Sequence, residues 1–313
     1  MKLLLPSSIP LQVHAPDGVT TVVYDVHAPI PAEHRDAEAL VVWGNPGERL
    51  RAMPGELPDL VWIQALMAGT DAVEAAGFDP AITLCSGRGL HDAPVAEHTL
   101  ALLLAAARRL DKAVLAQAKS TWRAWEDVNQ PFGAPEHLST LSGARVLVWG
   151  FGGIGTRLAG YLTALGAQVT GVATTAGERA GYQVITPAEL PAVLPQTDVL
   201  VNILPATPAT TAVVGTQVLD TLPRHAWLVN VGRGATVDEL ALLAALESGS
   251  IAGAALDVFA TEPLPADSPL WRAPNMIITP HSAGGRPEHP ERLIVENLRR
   301  LQAGDDLLNV VAG

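Results

Sequence analysis

Apolar positions fall along this chain in two alternating rhythms. From Ala144 onward, short unbroken apolar runs recur: RVLVWG (145–150), QVTGV (168–172), VLVNIL (199–204), AWLVNV (226–231), GAALDV (253–258) and MIITP (276–280). Between them lie stretches with helical spacing. One follows a glycine turn and runs through Leu165; another, ELALLAALES, is opened by Thr236-x-x-Glu239, which has the form of a capping box, and stops at Gly249. Near-continuous apolar strands alternating with helices predict a parallel sheet covered on both faces, a doubly wound α/β domain.

The first hundred residues carry shorter runs: LLL near the start, TVVYDV (21–26), LVVW (40–43), LVWIQAL (60–66) and AITLC (81–85), all punctuated by Pro and Gly. They predict a second, smaller α/β domain. A long helix from about Val95 to Lys119 is expected to join the two. The C-terminal stretch 291–304 has helical periodicity, with positions 293, 294, 298 and 301 apolar on one face. No solenoid-type repeat or low-complexity segment is visible.

Composition narrows the class. A length of 313 residues suffices for two cores, and 48% hydrophobic with 17% charged residues describes an ordinary globular chain. The formal charge of −12 argues against a nucleic-acid or anionic-membrane partner. Cys85 is the single cysteine, so no internal disulfide or Cys-rich zinc site can form, and a reducing, cytoplasmic setting is expected. No metal is implied. The opening MKLLLPSSIP is broken at Pro6, short of a signal core, and TLALLLAAA (99–107) is too short to span a bilayer.

Chemistry enters at GFGGIG, which matches G-x-G-x-x-G with Gly150, Gly152 and Gly155 and includes Gly153 and Ile154. Between a strand and a helix, such a turn brings dinucleotide phosphates to backbone N–H groups at a helix N-terminus. An acid that would grip the adenosine ribose is expected at the end of the next strand. Eighteen residues beyond Gly155 stands Ala173 instead, followed by Thr174 and Thr175. An Asp there would repel a 2′-phosphate, so its absence favours NADP over NAD, and Arg179 is near enough in sequence to contribute.

Hydride exchange with a 2-hydroxy acid needs a cation for the carboxylate and carbonyl, a proton donor, and a carboxylate behind that donor if it is histidine. Arg233 lies between Gly232 and Gly234 after one strand, Glu262 in a Pro-rich loop after the next, and His281 directly after the last. All three fall on the strand-end side where such sheets bind ligands.

Together NVGRGATVDE, LDVFATEPLP and TPHSAGG resemble the Arg, Glu and His signatures of the D-isomer-specific 2-hydroxyacid dehydrogenases. QALMAGTD (64–71) and GLHDAPVAEHTLALLLAAARR (89–109) are similar to that family's substrate-loop and linker-helix segments. The resemblance implies a Rossmann-like cofactor domain of 98–283 and a flavodoxin-like substrate domain of 1–97 to which 284–313 returns. It implies that Arg233 binds the substrate, that His281 is the proton donor and Glu262 its partner. The amides of Ala68 and Gly69 would help hold the substrate carboxylate. Asp257 would meet the nicotinamide carboxamide, while Leu204, Pro205, Thr210, Val231 and Gly232 would line the cofactor cleft. Lobe closure over a small 2-oxo acid and a homodimer built on the linker helix are the family's habits.

Several features look like glyoxylate/hydroxypyruvate reductases: the acid-free cofactor loop, Trp43 after its strand, MAGTD, and Arg286-Pro287. Other readings stay open. One is an NAD-dependent dehydrogenase of a larger or phosphorylated acid, with Arg49 and Arg51 as phosphate ligands. Another is a nicotinamide-sensing binding protein of the corepressor type. His14, His27, His91 and His98 suggest no chemistry.

Overall fold

The computed structural model describes residues 1–122 and 138–311. They form two compact units, Met1–His91 with Arg286–Gly313, and Asp92–Gly285. The boundary expected between 97 and 98 falls inside the helix Asp92–Arg108, which belongs whole to the second unit because a continuous helix is one rigid element. Stretches 123–137 and 312–313 of the two expected domains lie outside the described residues.

The first unit is built on five parallel strands, β1 (Lys2–Pro6), β2 (Thr20–Tyr24), β3 (Ala39–Val42), β4 (Trp62–Ala65) and β5 (Thr83–Cys85), in the order β2-β1-β3-β4-β5. This is the flavodoxin-like order. Alternate residues feed opposite faces: Leu4, Leu40 and Ile63 pack with Leu50 and Met53 of the helix Gly47–Glu56. Leu3, Ala39, Trp62 and Cys85 pack under Ile294 and Leu298 of the helix Pro290–Ala303. The last helix therefore returns to the unit that opens the chain.

The second unit has eight strands: β6 (Arg145–Trp149), β7 (Gln168–Val172), β8 (Gly177–Arg179), β9 (Tyr182–Ile185), β10 (Val199–Asn202), β11 (Trp227–Asn230), β12 (Gly253–Leu256) and β13 (Met276–Ile278). Their order is β13-β12-β11-β10-β6-β7-β9-β8, parallel apart from the β8–β9 pair. Val146, Val148, Val201 and Val229 face the helices Asp92–Arg108 and Gly153–Ala164. Leu147, Leu200, Leu228 and Leu256 face the side covered by Glu239–Ser248. The chain leaves β6 toward β7 on one side and later returns to β10 on the other, so the strand order reverses there. A crevice for a ligand opens at the carboxyl ends beside such a reversal.

Three local expectations are corrected. The joining helix is two helices, Asp92–Arg108 and Leu110–Ala118, broken at Arg109, whose φ is +53°. No Gly or Pro announces that break; Arg109 instead turns its Nη2 to Asn275 Oδ1 at 2.9 Å. The capping box at Thr236 does not form. Asp238, nearer the helix, accepts from the amides of Leu240 and Ala241 at 3.1 Å each and is the N-cap. Finally, β8 and β9 form a short antiparallel ribbon that the apolar runs did not mark. Among the described residues no helix is long and apolar enough to cross a membrane.

Candidate active site

Every strand from β6 to β13 that bears a candidate ends on the same side of its sheet, and the loops there are welded backbone to backbone. Gly150, at φ +102°, lies so close to Ile203 and Leu204 that a Cβ would collide with their main chain. A Cβ on Gly232 would strike Leu204, and one on Gly234 would strike Phe259 and Ala260. Glycine is required at these contacts because any side chain would force the loops apart. Arg233 is thus stretched between two close contacts, in extended backbone (φ −139°, ψ 141°), with Nη1 donating to Gly232 O at 2.9 Å.

Glu262 and His281 meet. His281 Nδ1 lies 2.6 Å from Glu262 Oε2, and Glu262 Oε1 accepts from the Phe259 amide at 2.9 Å. The carboxylate is thereby oriented by the loop that abuts Gly234. A carboxylate on Nδ1 leaves Nε2 as the outward nitrogen of the ring. The side chains stay accessible, 49% exposed for His281 and 33% for Glu262.

His281 has φ +51°, in the left-handed region, which is costly for a residue with a side chain. Asp257 holds it there. The Asp257 carbonyl accepts from the His281 amide at 2.7 Å, and its carboxylate takes the amides of Ser282 and Ala283 at 2.9 Å each and Thr279 Oγ1 at 2.6 Å. His98 Nε2 stands 3.4 Å from Asp257 Oδ1 and 3.0 Å from Thr279 Oγ1. Burial opposes charge on Asp257, yet hydrogen bonds from His98, Thr279 and the two amides outweigh it and hold the carboxyl at about 2. The side chain is directed into its own turn, and His98, to which the sequence assigned no chemistry, is part of that support.

The cofactor side is a turn and a helix start. Gly152 is the N-cap of Gly153–Ala164, and a Cβ on Gly152 would meet open space, whereas one on Gly153 would strike the Asp92 carboxylate. A helix start at such a turn is where the phosphates of a dinucleotide bind. Ala173 is half-buried at the end of β7, and Thr174 and Thr175 are exposed beside it. Arg179 sits across both elements, with Nη1 donating to Phe151 O at 3.0 Å and Nη2 to Thr175 O at 3.1 Å. A cation between the glycine turn and the threonines is what a 2′-phosphate would need. Leu204 is half-buried, Pro205 exposed, and Thr210 gives its hydroxyl to Pro205 O at 2.6 Å. Val231 and Gly232 are buried. These residues fit an NAD or NADP molecule.

In the first unit, Ala68 is exposed and Gly69 half-buried in the turn after β4. Gly87 steadies that turn, its amide donating to Met67 O at 2.7 Å. His91 Nε2 lies 2.7 Å from Leu66 O, and its ring stacks on Trp43 with centroids 5.5 Å apart. Arg49 is committed to Glu56 at 2.8 Å, which removes it as a phosphate ligand. Among the described residues no group of His, Cys, Asp or Glu could hold a metal ion.

The chain is similar to several known proteins. Residues 100–283 match the model of the D-isomer specific 2-hydroxyacid dehydrogenase NAD-binding domain. A glyoxylate/hydroxypyruvate reductase A of Serratia proteamaculans is 34% identical over 290 residues, 90% of this chain and 88% of that protein. A D-isomer specific 2-hydroxyacid dehydrogenase of Xanthobacter autotrophicus Py2, solved with NADPH and MES, superposes with a TM-score of 0.80 at 31% identity, covering 100% of this chain and 98% of that one. An NADPH-dependent glyoxylate/hydroxypyruvate reductase of Sinorhizobium meliloti, solved with NADP and sulfate, has a TM-score of 0.81 at 26% identity over 99% of this chain and 97% of that one.

Proposed function

This chain belongs to the D-isomer specific 2-hydroxyacid dehydrogenase family, and from that premise we propose that it reduces small 2-oxo acids, glyoxylate or hydroxypyruvate, with NADPH. The observation that carries the reading is the 2.6 Å Glu262–His281 pair, set on a loop that abuts the Arg233 turn. The relatives' reductase activity and the NADPH and NADP bound in two similar structures support the choice of substrate and cofactor.

In this reading Arg233 binds the substrate carboxylate and draws electron density from the carbonyl oxygen, aided by the Ala68 and Gly69 amides. His281 gives its Nε2 proton to that oxygen as the carbon gains hydride. Glu262 accepts the Nδ1 hydrogen throughout, fixing the tautomer and favouring the charged ring. Nicotinamide, when bound, supplies the hydride. Gly150, Gly152, Gly153, Ile154 and Gly155 hold the pyrophosphate by main-chain N–H groups. Ala173, Thr174, Thr175 and Arg179 receive the ribose and its 2′-phosphate. Leu204, Pro205, Thr210, Val231 and Gly232 line the cleft, and Asp257 serves the nicotinamide end by supporting the His281 turn.

A cytoplasmic homodimer completes the reading. The helix Leu110–Ala118 exposes Leu110, Val114 and Leu115 at 49%, 61% and 58%, an apolar face suited to a second copy. Cys85 is free and buried, in keeping with a reducing compartment.

Arg233→Ala and His281→Ala test the assignment. Each should lower kcat/KM for glyoxylate by about a hundredfold or more while NADPH affinity stays near wild type. Loss of NADPH binding in either variant would assign that residue to the fold instead.

A further inference from the structure

The end of the central sheet hides three polar side chains that the mechanism above does not use. Asn202, Asn230 and Thr236 are each 0% exposed, at the edge of an apolar layer. Asn202 and Asn230 are register partners at the last positions of β10 and β11. Asn202 Nδ2 donates to Thr236 Oγ1 at 2.6 Å and to Asn230 Oδ1 at 3.2 Å, and Asn202 Oδ1 accepts from the Leu204 amide at 3.3 Å. Asn230 Oδ1 also accepts from the Gly232 amide at 3.1 Å. The remaining donors converge on one atom. The Arg233 carbonyl accepts from Thr236 Oγ1 at 2.6 Å, from Asn230 Nδ2 at 3.1 Å and from the Thr236 amide at 3.2 Å.

We propose that Thr236, with Asn202 and Asn230, is a positioning residue that aims the Arg233 guanidinium at the substrate. Glycines on both sides of Arg233 permit the close contacts with Leu204 and Phe259, but they restrict φ and ψ less than other residues would. Three donors on its carbonyl remove that freedom and fix the direction of its Cα–Cβ bond. Buried polar groups are costly unless all are satisfied, and here every side-chain donor has an acceptor, so the network specifies one arrangement. Through Asn202 the same network also holds Leu204, tying the cofactor-cleft loop to the Arg233 turn. The Thr236 hydroxyl links Asn202 to the Arg233 carbonyl, beside the direct bond from Asn230 Nδ2.

The inference rests on Arg233 as the cation that holds the substrate carboxylate, so the test separates the two. Oxamate, a 2-oxo acid mimic, is titrated into the NADPH complex of wild type, Thr236→Val, Thr236→Ala, Thr236→Ser and Arg233→Ala. NADPH affinity, thermal midpoint and glyoxylate kinetics are read on the same samples. Thr236→Val, which exchanges the hydroxyl for a methyl group, and Thr236→Ala should weaken oxamate about tenfold or more and lower kcat/KM in step, with NADPH affinity within about twofold of wild type. Thr236→Ser keeps the hydroxyl and should restore oxamate affinity to within about threefold. Equal losses in Ser and Val, or equal losses of oxamate and NADPH, would make Thr236 a structural residue and overturn the inference, as would failure of both Val and Ala to fold. If oxamate binding survives Arg233→Ala, the role given to Arg233 fails. If Arg233→Ala loses oxamate and Thr236→Val does not, only the positioning inference fails.

Discussion

His281 has the sparsely populated backbone geometry of the active site, and Asp257 is the residue that makes it tolerable. A left-handed histidine costs on the order of 1 kcal/mol or more, which the main-chain bonds to the Asp257 carbonyl and carboxylate offset. Because the Asp257 carboxyl is held at about 2, against an ordinary 3.8, its ionised form contributes stability. The difference corresponds to a contribution on the order of 2 kcal/mol. The sign follows from a depressed acid: the contribution is complete above about pH 4 and is lost as pH falls through about 2. Asp257→Asn should therefore lower the free energy of unfolding most near neutral pH, and urea titrations of both proteins should show the gap closing toward pH 2. A gap that stays constant with pH would mean that the carboxylate charge is not what holds the turn. The variant should also slow turnover, since Ser282 and Ala283 follow His281 directly.

Among the elements, the cofactor cradle is where a strand end, a helix start and a small ribbon combine. Arg179 reaches the cradle because β8 folds back on β9, which brings its guanidinium between Phe151 O and Thr175 O. Arg179→Ala should weaken NADPH by about tenfold and leave NADH unaffected, and Ala173→Asp should shift preference toward NADH; fluorescence titration of each nucleotide checks both. If NADPH affinity is unchanged in both variants, the 2′-phosphate is held elsewhere. Much of this level was legible in the sequence. The apolar runs marked the long strands because strands buried on both faces admit few polar residues. The β8 segment, only three residues and mostly exposed, carries no such pattern. The Thr236 misreading has a different cause: Thr236-x-x-Glu239 satisfies the capping pattern, but Asp238 is nearer the free amides and a stronger acceptor. Arg233, Glu262 and His281 could be found from their loops and motifs. Asn202, Asn230 and Thr236 could not, since asparagines inside the apolar runs VLVNIL and AWLVNV read only as strand positions and not as halves of a buried pair.

Across the whole molecule, the second unit carries the glycine turn, Arg233 and the Glu262–His281 pair; the first carries the Ala68–Gly69 turn and the Trp43–His91 stack. With a formal charge of −12, the chain depends on a few placed cations rather than on its net field to hold an anionic substrate and an anionic cofactor. In the proposed function these cations serve NADPH-dependent reduction of a small 2-oxo acid. The most direct measurement is the initial rate of glyoxylate and hydroxypyruvate reduction, with NADPH and with NADH, at one ionic strength. The account predicts turnover of at least one of these acids with kcat/KM about tenfold or more higher for NADPH, a difference of about 1.4 kcal/mol. Equal or faster turnover with NADH, or no reduction of either acid with either cofactor, would contradict it.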